Sequence, residues 1–177
     1  LKKLLARTTA ALATAASLVL IPLAAAPAQA TVTANHPGMT WSVVNKGSGV
    51  VQPSSDAVTN PYNGDTPASA TLPVLCLRVT NAPVPAGITP TFNVGWARGT
   101  VAATPPVQGT TLTSWAVADA LCVQYYGPGW RMAEFHDGRY GADLSQSGGW
   151  SFWAHGYLPE NTRFWVAIND QIANPWN

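Results

Sequence analysis

The head of the chain decides how much of it is available to fold. Lys2, Lys3 and Arg7 form a positive start, a small-residue apolar stretch runs from Thr8 to Leu23, and Ala28-Gln29-Ala30 closes it. A charged start, an apolar middle and an Ala-x-Ala end are the three parts of a secretory signal peptide, so export with cleavage after Ala30 is expected. An uncleaved membrane anchor is the competing reading, and the Ala-rich composition and cleavage-type triplet weigh against it. No cysteine follows the cleavage point, so no lipid anchor is expected. Removing 30 of the 177 residues leaves 147, enough for one domain with a real core. The expectation is a secreted, extracytoplasmic protein with no membrane span once the signal is removed.

Export places the cysteines in an oxidising setting. Cys76 and Cys122 are the only two, and an even count in an exported chain predicts one bridge rather than two buried thiols. Such a bridge would close a 46-residue loop, worth roughly 4 kcal/mol by loop-closure entropy. Three of the nine basic residues leave with the signal, so six face eight acidic ones. With no basic stripe, nucleic acid and anionic membranes are not expected partners. Charge is sparse, while Thr, Ser, Asn, Gly and Pro are plentiful, which suits a turn-rich, mostly β surface.

Residues 31–71 read as an irregular β and loop arm. Thr31-Val-Thr33 and Trp41-Ser-Val-Val44 are short strand-like runs, and Gly47, Gly49, Pro53, Pro61, Gly64 and Pro67 punctuate the rest. Leu72 to Thr80 is the first strong strand, with Leu75, Leu77 and Val79 alternating against Cys76 and Arg78. Thr91–Trp96 and Gly99–Ala103 suggest a second pair of strands. One helix is well signed over 114–126. Thr113 or Ser114 caps it, Trp115, Ala118, Cys122 and Tyr125 or Tyr126 recur at helical spacing, and Gly127-Pro128 stops it. Thirteen of the seventeen aromatic residues lie from Trp115 onward. There Arg131–His136 reads as a strand, Gly141–Gly149 as a loop, Trp150–Ala154 as an aromatic run and Arg163–Ile168 as a strand buried on both faces.

Three of these stretches resemble C-type lectin-like domains. Trp115-Ala-Val-Ala-Asp-Ala-Leu-Cys122 is similar to that family's first helix. Gly127-Pro-Gly-Trp-Arg-Met-Ala-Glu-Phe-His-Asp137 resembles its Gly-Gly-x-Leu-Ala-x-Ile-His stretch, and Phe164-Trp-Val-Ala-Ile-Asn-Asp170 its core strand. The resemblance implies an α+β fold over 72–177, a C-type lectin-like mixed fold with one main helix and short antiparallel strands. It also implies core roles for Trp115, Trp130 and Trp165. Two departures stand out. The family bridges its helix cysteine to one near its end, whereas here Cys76 lies upstream, and a permuted arrangement with the Val74–Val79 strand in the last-strand slot would reconcile them. Neither Glu-Pro-Asn nor Gln-Pro-Asp occurs, so calcium-dependent sugar binding has no motif support and no cofactor is predicted.

Three groups carry candidate chemistry. Glu134, His136 and Asp137 form the densest polar cluster, suited to a strand end, a ligand contact or general acid–base work. His-x-His and His-Glu-x-x-His spacings are absent, so no metal site is expected. Asn169, Asp170, Gln171, Asn174 and Asn177 make an oxygen-rich terminus that fits turn-making or contact with an ion or sugar. Tyr140, Trp150, Trp153 and Tyr157 flank the Gly-rich loop as a saccharide-stacking surface, a protein interface or plain core. His155 sits among them as a surface or capping residue. No nucleophile elbow or phosphate-cradling Gly motif occurs. The expectation is an exported, non-catalytic binding module for an extracellular glycan or protein. The alternatives are a self-associating matrix protein and a secreted hydrolase using Glu134, His136 and Asp137.

Overall fold

The computed structural model describes residues 33–177. The expected signal peptide lies outside the described residues. Among those described there are eleven strands and one α-helix. The strands are β1 (Thr40–Gly47), β2 (Val50–Ser54), β3 (Thr71–Leu72), β4 (Leu75–Val79), β5 (Gly95–Ala103) and β6 (Val107–Gln108), followed after the helix by β7 (Arg131–Met132), β8 (Arg139–Tyr140), β9 (Gln146–Ser147), β10 (Phe152–Gly156) and β11 (Arg163–Trp165). The helix α1 is Trp115–Tyr126. Nine strands form one sheet in the order β11-β1-β2-β10-β5-β4-β7, with β8 and β9 branching from β5, and β3 pairs with β6 apart from it.

This sheet overturns the expected C-type lectin-like fold. Residues assigned to a loose arm supply β1 and β2, which lie inside the main sheet between β11 and β10. The strands are not all antiparallel, because β10 runs parallel to β5. Sheet dominates, and α1 is an addition to one of its faces. The punctuation at Gly47 and Gly49 is the tight turn of the β1–β2 hairpin rather than slack. The expected strand pair 91–96 and 99–103 is one nine-residue strand, β5. Gly99 does not break it because a side chain there would collide with the Arg78 carbonyl at 2.0 Å; the glycine permits close strand approach.

The two ends of the sheet meet. Trp165 N donates to Pro73 O at 2.9 Å, Phe135 N to Ala167 O at 2.9 Å and Ala167 N to Ala133 O at 3.0 Å. Val74 bridges Trp165 and Glu134 bridges Ala167, both parallel. These contacts cover part of the open edges that an aromatic-rich sheet would otherwise expose. It also explains the short strands after the helix. Of the expected strand 131–136, only Arg131–Met132 pairs regularly with β4. The remainder turns to join the continuation of β11.

Alternation then sorts side chains into two cores. Met39, Trp41, Val51, Leu75, Leu77, Phe152, Phe164 and Val166 pack together on one side. Val74, Cys76, Met132, Trp165 and Ala167 point the other way and meet Ala118 and Cys122 of α1. Trp41, Trp96 and Trp165 are completely buried, each worth roughly 4–6 kcal/mol by apolar area. The helix matches its sequence signals. Ser114 accepts the Val117 N–H at 3.2 Å as N-cap, and Gly127, at φ 89°, ends the helix in a conformation natural to glycine. The Cys76–Cys122 bridge ties α1 to β4.

A second tether holds the hairpin region to β11. Arg163 Nη1 lies 2.6 Å from Asp56 Oδ2, its Nε donates to Thr40 Oγ1 at 2.7 Å and its Nη2 to Thr40 O at 2.8 Å. Asp65 accepts from Thr40 N at 3.1 Å and Asn60 N at 3.0 Å. Burial pushes the Asp56 carboxyl up, but hydrogen bonds from Arg163, Ser42 and Val58 N, with the Arg163 charge, outweigh it and hold the value at about 2.

Two predictions follow from these tethers. Reduction, or Cys122→Ser, should lower the unfolding free energy by about 4 kcal/mol without dissolving the sheet; a melting temperature unmoved by reductant would contradict the bridge. Asp56 contributes stability that is complete above its ordinary value of 3.8 and is lost as pH falls through about 2. After screening by solvent this is roughly 1 kcal/mol. Urea midpoints between pH 4 and pH 2 should fall less steeply for Asp56→Asn than for the parent, and parallel curves would remove the tether from the account.

Candidate functional site

The closure seam carries the most organised polar and aromatic surface. Phe135 sits at its centre, edge-on to buried Trp41 at 5.9 Å between ring centroids and to Trp150 at 5.2 Å. This aromatic chain runs from the core to the surface. Gly149 makes it possible, since a methyl there would stand 2.4 Å from Phe135 Cε1. Trp150 itself has φ 74°, a left-handed conformation that costs a bulky residue about 1–3 kcal/mol. Its neighbours over-determine it. Trp150 O accepts from Ser55 N at 2.8 Å, and Gly149 N donates to Phe92 O at 3.1 Å. Trp150 is 36% exposed.

Trp150 forms one wall of a surface hollow of about 220 Å³. Tyr62, His136, Asp170 and Gln171 complete its rim, over Phe135 and Ile168. Tyr62 reaches it from a loop pinned by Asn60, whose Oδ1 accepts from Tyr62 N at 3.0 Å and Asn63 N at 3.1 Å. Glu134 lies behind His136 and fixes it. Its Oε2 accepts His136 N at 2.7 Å, while its Oε1 lies 2.8 Å from His136 Nδ1 and accepts Asn169 N at 3.3 Å. Burial raises the Glu134 carboxyl above its ordinary value, and the His136 hydrogen bonds offset only part of that rise. In the neutral imidazole the Glu134 contact places the proton on Nδ1 and leaves Nε2 as an acceptor. Nε2 lies 3.7 Å from Asp170 Oδ2, too far for a direct hydrogen bond.

Asp137 does not join this group. It forms a two-pronged pair with Arg131, with Nη1 to Oδ2 at 2.9 Å, and accepts Glu134 N at 2.7 Å. Burial opposes the Arg131 charge, yet the Asp137 hydrogen bond and charge win and raise its pKa. Glu134 and Asp137 line a separate shallow cleft with Trp115, Arg139 and Asn169, so the sequence cluster is divided between two surfaces.

The other sequence candidates are dispersed. Tyr140 is half-buried and packs edge-on to Phe92 at 5.8 Å. Trp153 is half-buried in β10, opposite in alternation to Phe152 and Ala154. Tyr157 is 76% exposed and lies outside the residues lining the hollow. His155 packs edge-on to Trp96 at 5.0 Å. Asn174 is buried and clamps a turn: its Oδ1 accepts Ile168 N at 2.9 Å, and its Nδ2 donates to Ile168 O at 2.9 Å and Asn177 Oδ1 at 2.8 Å. Its amide has no donor left for a ligand. Asp170 and Gln171, on the turn it clamps, do face the hollow. Pro61, Tyr62, Phe135 and Ile168 are the lining residues that sequence reasoning missed. Tyr62 sits in a segment read as a loose arm, and Phe135 was placed only as a strand residue.

Among the described residues no group of three His, Cys, Asp or Glu side chains is arranged to hold a metal ion, and no helix is long and apolar enough to cross a membrane. No family model, curated protein or solved structure matches the chain.

The geometry predicts that Gly149→Ala displaces Phe135 and Trp150 together. The cost should be about 1–3 kcal/mol, with a changed near-ultraviolet dichroism from the coupled rings. A variant with parent stability and an unchanged aromatic spectrum would show that Gly149 is not what seats them.

Proposed function

We propose that the protein is an exported, non-catalytic binding module, and that its ligand is a glycan held in the Trp150 hollow. One observation carries this reading. Trp150 is kept at the surface in a costly backbone conformation, facing a rim that pairs Tyr62 with the polar groups of His136, Asp170 and Gln171. Saccharides present apolar C–H faces ringed by hydroxyls, and flat aromatic walls with hydrogen-bonding groups between them complement that pattern. The hollow is small and open, suited to one or two sugar rings rather than to a protein segment. Asp137 is paired with Arg131 and does not line the hollow, so the three residues of the hydrolase alternative do not all meet there, which weighs against it.

Self-association is the second reading, and the outer face of α1 favours it. Val117 and Val123 are exposed there, each at about 40%. A sedimentation coefficient that rises with concentration, and returns to the monomer value in Val117→Lys, would support that role.

A glycan array with and without calcium tests the main reading. Binding of a defined glycan set is expected, and Trp150→Ala should weaken it at least tenfold, in line with the loss of about 1–2 kcal/mol of aromatic contact. An array with no binder, or a binder indifferent to Trp150→Ala, would contradict it.

A further inference from the structure

We propose that the glycan recognised in the Trp150 hollow carries a free amino group, as glucosamine units do, and that this group is held between His136 and Asp170. The inference rests on the glycan reading above and names the chemistry of its ligand. Its basis is the placing of His136 Nε2 beside the Asp170 carboxylate on the rim. The Glu134 contact directs His136 Nδ1 inward, so in the neutral imidazole with its proton on Nδ1 the Nε2 atom offers a lone pair to the hollow. Asp170 Oδ2 stands 3.7 Å away, itself an acceptor, and its side chain is 57% exposed. Two acceptors at that separation leave room for a donor that reaches both. An ammonium has three donors and no acceptor.

The surrounding surface agrees. No lysine or arginine lines the hollow, whereas Tyr62 and Trp150 do. Aromatic faces attract a cation through the ring quadrupole. The nearby guanidinium of Arg131 is committed to Asp137, so it does not cancel the Asp170 charge. A neutral N-acetyl group in the same place would supply one donor and bring an acceptor oxygen towards two others. Gln171 is the one rim residue with a side-chain amide donor, and it is available to a neighbouring hydroxyl.

Isothermal titration of the exported chain with a glucosamine oligomer and with its N-acetylated counterpart of equal length tests the inference. The free amine should bind about tenfold tighter, the range of a desolvated cation–aromatic contact. Asp170→Asn should erase that preference, and Trp150→Ala should weaken both oligomers. Spermidine, a polyamine without sugar rings, should not compete; equal competition would reduce the effect to bulk charge and overturn the inference. Equal affinity for the two oligomers, or a preference that survives Asp170→Asn, would also overturn it while leaving the glycan reading intact. Failure of any glycan to bind would remove both.

Discussion

The backbone seam between Ala133–Phe135 and Trp165–Ala167 is the constraint on which the rest of the molecule depends. It joins the segments beside β7 and β11, the two ends of the sheet order, which carry Met132, Phe164 and Trp165. With it, the sheet returns on itself and those side chains divide between two buried clusters. Each bond in the seam is a modest gain, about 1 kcal/mol net. What it secures is larger, because register at the seam decides which face every following residue takes.

The same seam builds the surface hollow. Phe135 leaves it towards Trp150, His136 follows on the exposed side, and Asp170 lies on the turn after the segment that pairs with it. Three segments distant in sequence, around Tyr62, Phe135 and Trp150, meet only because both ends of the sheet are joined. The Asn174 clamp and the Asn60 turn then fix the flanking loops, so the rim is set by side-chain amides bonded to the backbone. A site prepared in this way loses little conformational entropy when a ligand binds.

The local elements were legible in the sequence where one physical signal dominated. Ser114, the spacing of Ala118 and Cys122, and Gly127 are sufficient to define α1, and the even cysteine count in a chain read as exported anticipated its bridge. Alternation at Leu75 and Leu77 marked β4. The larger architecture was not legible, because parallel pairing of β10 with β5 and closure through single bridges leave no periodic trace. Glycines and prolines around residues 47–67 looked like slack. They are hairpin and turn positions whose order comes from Arg163, more than a hundred residues away. In the hollow, Trp150, His136, Asp170 and Gln171 were visible as suitable chemistry, but Tyr62 and Phe135 gained their places only through long-range packing. Asn174 shows the converse: an amide that suits ligand contact in sequence is consumed by the Ile168 backbone.

Native-state hydrogen exchange at single-residue resolution tests the seam most directly. The amides of Ala133, Phe135, Trp165 and Ala167 should be among the slowest in the molecule and should exchange only through global unfolding, with the same denaturant dependence as Leu77 and Ala97. Exchange of those four amides through a smaller opening, while β4 and β5 stay protected, would mean that the sheet is not closed there and that the hollow has no fixed frame.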